Sequence, residues 1–177
     1  VFRIFHLYLP LNFIISFLNK CTETYAKKYP TKIQKIVITI NGQKKEQYIS
    51  DELWCMFRGS VGNTPDLLQC ILMALEAFFL DNARQLSTPE IEKKLLYILE
   101  KTNTCALTAI VCSIVLSNYK KYYSIAKELI IKEFIIMDFI RCFHEQQAKM
   151  SYSMVGFGIN SKFSKERLDT CKQEFRK

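Results

Sequence analysis

The sequence predicts a mainly α-helical chain: an irregular helical bundle or an α-solenoid-like helical-repeat fragment, with one small β-hairpin near residues 35–49. Three observations lead there. Hydrophobic residues make up 49% and charged residues 24% of 177 residues, the proportions of a globular domain with a real core. Only 5 Gly and 4 Pro interrupt the chain, too few for a turn-rich all-β fold. Long stretches repeat apolar residues at helical spacing, and one short stretch switches to alternation.

The elements follow in order. Leu11, Ile14, Ile15 and Leu18 form the stripe of a helix over 11–28, with Pro10 just before it and Pro30 after it. Ile36, Ile38 and Ile40 alternate with Val37 and Thr39, and Asn41-Gly42 then signals a hairpin, with Glu46 to Ile49 returning. An isolated hairpin is marginal, so this one must lie on something. Asp51 to Arg58 reads as a short helix carrying the only Trp, followed by a loop over 59–63.

Thr64-Pro65-Asp66 and Thr88-Pro89-Glu90 each open a helix, with Thr as cap, Pro where its missing N–H costs little, and an acid at the positive end of the dipole. The first of these helices presents Leu67, Leu68, Ile71, Leu72, Leu75, Phe78 and Phe79 as one face; the second presents Ile91, Leu95, Leu96 and Leu99. A helix over about 103–117 is apolar nearly all round and belongs in the middle of a stack, with Ala106, Ala109 and Ser113 as a strip of close approach. A longer helix over about 120–148 turns Ile125, Leu129, Phe134, Ile135 and Phe139 inward. A loop with Gly156 and Gly158 leads to a short basic helix capped by Ser164.

This organisation makes residues 1–177 one helical domain: an N-terminal helix in 1–32, the hairpin in 33–49, a helical core in 50–148, and a loop and basic helix in 149–177. The chain opens on Val1, which suits a fragment of a longer protein. Ile4 to Leu18 is broken by His6, Pro10 and Asn12, and Cys105 to Leu116 is 12 residues long. Neither reaches the roughly 20 apolar residues of a membrane span, so no membrane partner is expected.

The formal charge is +8, unevenly spread. Residues 1–50 carry 8 basic and 2 acidic groups, net +6; residues 51–90 carry 2 and 6, net −4. An acidic partner or nucleic acid would suit the basic ends, but solvated Lys-rich faces are the expected account of them. Seven cysteines without a CxxC pair do not make a secreted disulfide scaffold. They read as small core residues in a reducing cytoplasm. Cys105 and Cys112, two turns (about 10 Å) apart on one helix, are too distant to bridge.

The chain shows no reactive centre. His144-Glu145 begins a zincin pattern whose second His is replaced by Ala148. Cys142 and His144 are the sole local nucleophile–base pair, and His6 is remote from both. Gly59 to Thr64 lacks the Lys of a phosphate loop, and Gly156-x-Gly158 lacks the third glycine of a dinucleotide fingerprint. No catalytic residue, metal or cofactor is therefore expected. Lys27-Lys28-Tyr29 and Lys120-Lys121-Tyr122-Tyr123 mix cations and rings as nucleic-acid stacking platforms do. Trp54, Arg58 and Gly59 are the structural or interaction candidates, with Arg58 placed to pin the hairpin–helix junction through Asp51, Asp66 or Glu76.

One block carries a resemblance. It runs Leu53-Trp54-Cys55-Met56-Phe57-Arg58-Gly59, Thr64 to Leu68 and Leu72 to Leu80, then Leu99 to Asn103, Ala106 to Ser113, and Lys132-Glu133-Phe134. Over about residues 33–145 it resembles the helical middle region of large bacterial ATP-binding proteins like the STAND NTPases of antiviral defence. Those join an effector, an ATPase and a helical sensor. The chain has neither a P-loop nor a Walker B acid, so no family active-site residue carries over. The resemblance implies a scaffold or sensor slice whose ATPase lies elsewhere. The resulting expectation is a non-enzymatic, cytoplasmic protein-interaction module that meets a protein partner or neighbouring domains of a longer chain. The alternative is a basic helical nucleic-acid-binding domain, and a third reading is an enzyme using Cys142 and His144.

Overall fold

The computed structural model describes residues 2–58, 65–82 and 87–129, together with 134, 137, 138, 140, 141 and 143; for residues 2–9 and Arg58 it describes the backbone alone. The chain is mainly helical with a single two-stranded antiparallel hairpin among these residues. Helix α1 spans Phe2–Lys28, β1 Gln34–Ile40, β2 Gln43–Ile49 and α2 Asp51–Cys55, which tightens into a 3₁₀ turn at Met56–Arg58. Then come α3 (Asp66–Asn82), α4 (Thr88–Lys101), α5 (Cys105–Ser117) and α6 (Tyr123–Leu129).

Helix α5 is the centre. Every residue from Cys105 to Val115 is buried, as its all-round apolar sequence requires. It packs against α2, α3, α4, α6, β2 and the 3₁₀ turn, the arrangement of an irregular bundle. Thr104 caps it, its hydroxyl accepting from the Ala106 N–H at 3.4 Å. In the small-residue strip, the Ser113 hydroxyl donates to the carboxylate of Glu76 on α3, and that bond marks where α3 meets α5.

The hairpin turns at Asn41 (φ 49°) and Gly42 (φ 75°), both left-handed, as a two-residue type I′ turn demands. Its strands pair from Gln34↔Ile49 to Ile40↔Gln43, so the return strand begins at Gln43, earlier than Glu46. Alternation places Ile38, Ile40, Gln47 and Ile49 inward and leaves Val37 58% exposed. The hairpin lies on the helices and is also stitched to the α4–α5 connection. The Tyr48 N–H donates to the Asn103 carbonyl at 2.8 Å, and Tyr48 bridges Thr104.

Several expectations shift. Helix α1 begins at Phe2 and carries Pro10 inside it. Pro10 is exposed, so water can satisfy the carbonyl its ring leaves without a donor. The helix still stops at Lys28, before Pro30. The cap of α4 is Ser87, one residue before Thr88, and the Glu90 carboxylate accepts from the Ser87 N–H (3.1 Å) and hydroxyl (2.6 Å). These bonds hold the Glu90 carboxyl below its ordinary range. The α3 face is rotated from the one its apolar spacing indicates: Gln69, Leu72, Leu75, Glu76, Phe79 and Leu80 are buried while Leu67 is 63% exposed. Gln69 and Glu76 are both drawn inward, and α5 supplies Glu76 with a partner, the Ser113 hydroxyl.

The helix expected over 120–148 begins at Tyr123, after turns at 118–122. Ile125, Leu129 and Phe134 are buried as expected, whereas Ile135 and Phe139 lie outside the described residues. So do the loop over 59–63, Thr64, and residues 149–177 with their expected loop and basic helix.

Candidate functional site

The site is a groove between α1 and the α2–α3–α5 body. Leu11, Ile15, Leu18 and Thr22 are buried and hold α1 to the molecule. Their spacing of four, three and four keeps them on one stripe. Beside that stripe, Phe17, Cys21 and Tyr25 are only half-buried and form one wall. The opposite wall comes from Glu52, Leu53, Met56 and Leu68, and Leu18 and Ala106 lie between. The groove has a volume of about 550 Å³, within the size range of ligand-binding clefts. Ala106 keeps it open, since a longer side chain on α5 would fill its base.

Side-chain hydrogen bonds fix α1 on its far side. The Asn19 amide donates to the Lys101 carbonyl (2.9 Å), while its oxygen accepts from the Asn103 N–H (2.9 Å) and the Thr102 hydroxyl (3.3 Å). Asn103 in turn donates to the Glu23 carboxylate at 2.9 Å, and the Tyr97 hydroxyl donates to Asn12. The α4–α5 connection thus ties together α1 and β2.

Aromatic side chains at spacing four continue the groove along α1. The rings of Phe13 and Phe17 stack with centroids 6.1 Å apart, and those of Tyr25 and Tyr29 lie 5.0 Å apart. Phe13 is 69% exposed. The lip is cationic. Lys28 and Lys32 hold their ammonium groups 5.3 and 5.6 Å from the centre of the Tyr29 ring, and Lys20 stands two turns before Lys28. Glu52 is the carboxylate on the opposite wall.

The residues singled out from the sequence lie elsewhere. Trp54 is fully buried and stacks on Phe134 with centroids 5.1 Å apart. Its indole N–H finds no acceptor among the described residues. Trp54 therefore packs the core rather than facing a partner. Arg58 ends the 3₁₀ turn, but its side chain and Gly59 lie outside the described residues, and with them the pin to Asp51, Asp66 or Glu76. Cys142 and His144 also lie outside, as does the side chain of His6. Of the two basic–aromatic clusters, Lys28-Tyr29 flanks the groove, and in the other Tyr122 is buried while Tyr123 is exposed.

Among the described residues, two interior polar pairs stand out. Thr108 donates to Gln47 at 2.8 Å, and Arg141 pairs with Asp138 at 2.8 Å while covering the Phe57 ring. Burial pushes the Cys105 thiol up to about 12 and drives Cys112 upward as well, so neither is a nucleophile near neutral pH. Cys21, Cys55, Cys70, Cys105 and Cys112 remain thiols. Among the described residues no group of three or more His, Cys, Asp or Glu could hold a metal ion. No helix among them is long and apolar enough to cross a membrane.

Sequence reading missed the groove because its residues come from four separated stretches. The signal available was the spacing of Phe13, Phe17, Cys21, Tyr25 and Tyr29, which continues beside the buried stripe. Compared with known proteins, the chain matches no family model and no curated sequence.

Proposed function

We propose that this chain is a non-enzymatic protein-interaction module that binds an apolar segment of a protein partner in the groove beside α1. The observation that carries this reading is the groove itself: an apolar cleft of about 550 Å³ with half-buried aromatic residues on one wall and three lysines at its edge. Apolar side chains left partly wet in one contiguous patch are the usual mark of an interaction surface. The resemblance over residues 33–145 supports a scaffold or sensor slice of a large ATP-binding defence protein, and so a partner among neighbouring domains or bound proteins, in the cytoplasm.

Photocrosslinking tests this. A benzoylphenylalanine placed at Thr24, on the groove edge, is expected to capture a protein partner in cells. One placed at Val37, on the outer face of the hairpin, is not. Capture from Thr24 should vanish when Cys21→Trp fills the groove. Equal capture from both positions, or capture indifferent to Cys21→Trp, overturns the reading.

The pair of ammonium groups on Tyr29 favours the second reading, a nucleic-acid-binding domain. A gel shift with single-stranded RNA or DNA that weakens steeply with salt and is lost in Lys28→Glu would establish it.

A further inference from the structure

Resting on the reading of the groove as a partner site, we infer that its occupant is an amphipathic helix of about three turns that carries its acidic residues along one flank, the flank facing α1.

The length comes from the wall. From Phe17 to Lys28 the lining of α1 runs 12 residues, about 18 Å at 1.5 Å per residue. A helix of the same length lying alongside presents anchors at i, i+4, i+7 and i+11, the mode by which apolar grooves take helices. Half-buried Phe17, Cys21 and Tyr25 on one side, and Leu53, Met56 and Leu68 on the other, offer apolar surface along that line. A segment bound as a β-strand would need a sheet edge to pair its backbone, and neither wall supplies one; a helix satisfies its own.

The charge comes from the asymmetry of the two lips. Lys20, Lys28 and Lys32 all belong to the α1 side, whereas the opposite wall carries the carboxylate of Glu52. Lys20 and Lys28 are eight residues apart, about 12 Å. Acids seven or eight positions apart on the incoming helix would meet both. Acids on its other flank would meet Glu52 and be repelled. Such an arrangement sets orientation and partner choice more than bulk affinity.

Selection from a displayed peptide library tests the inference on the full chain. Sixteen-residue helices carry fixed Leu anchors at i, i+4, i+7 and i+11, with both flanks randomised among Asp, Ser and Lys. Groove binders are those whose binding is lost in Cys21→Trp, with an unchanged melting temperature confirming that this variant folds. The expected result is enrichment of Asp on one flank only, with a spacing of seven or eight. The triple variant Lys20→Glu, Lys28→Glu, Lys32→Glu should weaken the selected peptides by about tenfold or more, and raised salt should weaken them too.

Groove binders with neutral, basic or two-sided acidic flanks overturn the inference and leave the partner-site reading standing. The absence of any groove-dependent binder overturns both. Two further outcomes replace the helix by another occupant. One is a concentration-dependent dimer of the protein alone, in analytical ultracentrifugation, that Cys21→Trp abolishes. The other is protection of Cys21 from maleimide by palmitate in the absence of groove-binding peptides.

Discussion

Helices α5 and α1 are both rich in apolar residues, and the rest of the molecule treats them differently. On α5 every residue from Cys105 to Val115 is buried, and neighbours pack on it from α2, α3, α4, α6 and β2. On α1, among the described side chains, only the stripe of Leu11, Ile15, Leu18 and Thr22 is buried; Phe13 stands 69% exposed and Phe17 half-covered. One helix is held by apolar burial all round. The other is held by a narrow seam and by the hydrogen bonds of Asn12, Asn19 and Glu23. Burial is concentrated around α5, and the half-covered apolar surface of the groove lies beside α1.

The largest expected effect sharpens this contrast on the α5 side. Trp54→Ala removes a buried α2 ring stacked on Phe134 and should cost about 3–5 kcal/mol in denaturant unfolding. A loss under 1 kcal/mol would mean the core is not as continuous as described. On the α1 side, Asn19→Ala strips the Asn103 N–H and the Lys101 carbonyl of their partner and should cost about 1–3 kcal/mol, with an unchanged denaturant slope. An unchanged midpoint would show that the apolar seam alone holds α1.

Alkaline unfolding probes the core from another direction. The buried Cys105 thiol is raised from 9.0 to about 12, so the folded state keeps its proton where the unfolded chain loses it. Its contribution is complete below pH 9 and is lost as pH climbs toward 12, by up to about 1.4 kcal/mol per pH unit. Melting curves between pH 8 and pH 11 should be flatter for Cys105→Ala than for the parent protein. Site-resolved maleimide labelling should find Cys70 and Cys21 reacting well before Cys105.

Two smaller effects complete the series. Gly42→Ala forces a Cβ into a φ of 75° and should cost about 1 kcal/mol, chiefly in strain, because nothing crowds the position. Lys28→Ala, on the exposed lip, should change stability by no more than about 0.5 kcal/mol. A large loss there would assign Lys28 to holding the fold instead of facing a ligand.

Much of the architecture was legible residue by residue. Asn41-Gly42 between alternating Ile and polar residues demanded a hairpin, because few other pairs accept two consecutive positive φ angles. Cys105 to Val115 demanded a central position, because an all-round apolar helix has no face to offer water. The rotation of α3 was not legible: apolar spacing points Leu67 inward, and the partner that Glu76 meets, Ser113, lies 37 residues further along the chain. Nor was the role of Asn19, whose partners lie more than eighty residues away.

Local chemistry alone therefore determined which segments coil, where the chain reverses and which helix lies innermost. Periodicity, caps and turn residues act within a few positions of one another. The tertiary structure decided the rest: which half of each apolar face is covered, which polar groups are drawn inside, and that Cys21, Met56 and Leu68 line one groove. Those outcomes depend on distances between segments remote in the chain, and packing sets such distances only after every element competes for the same interior.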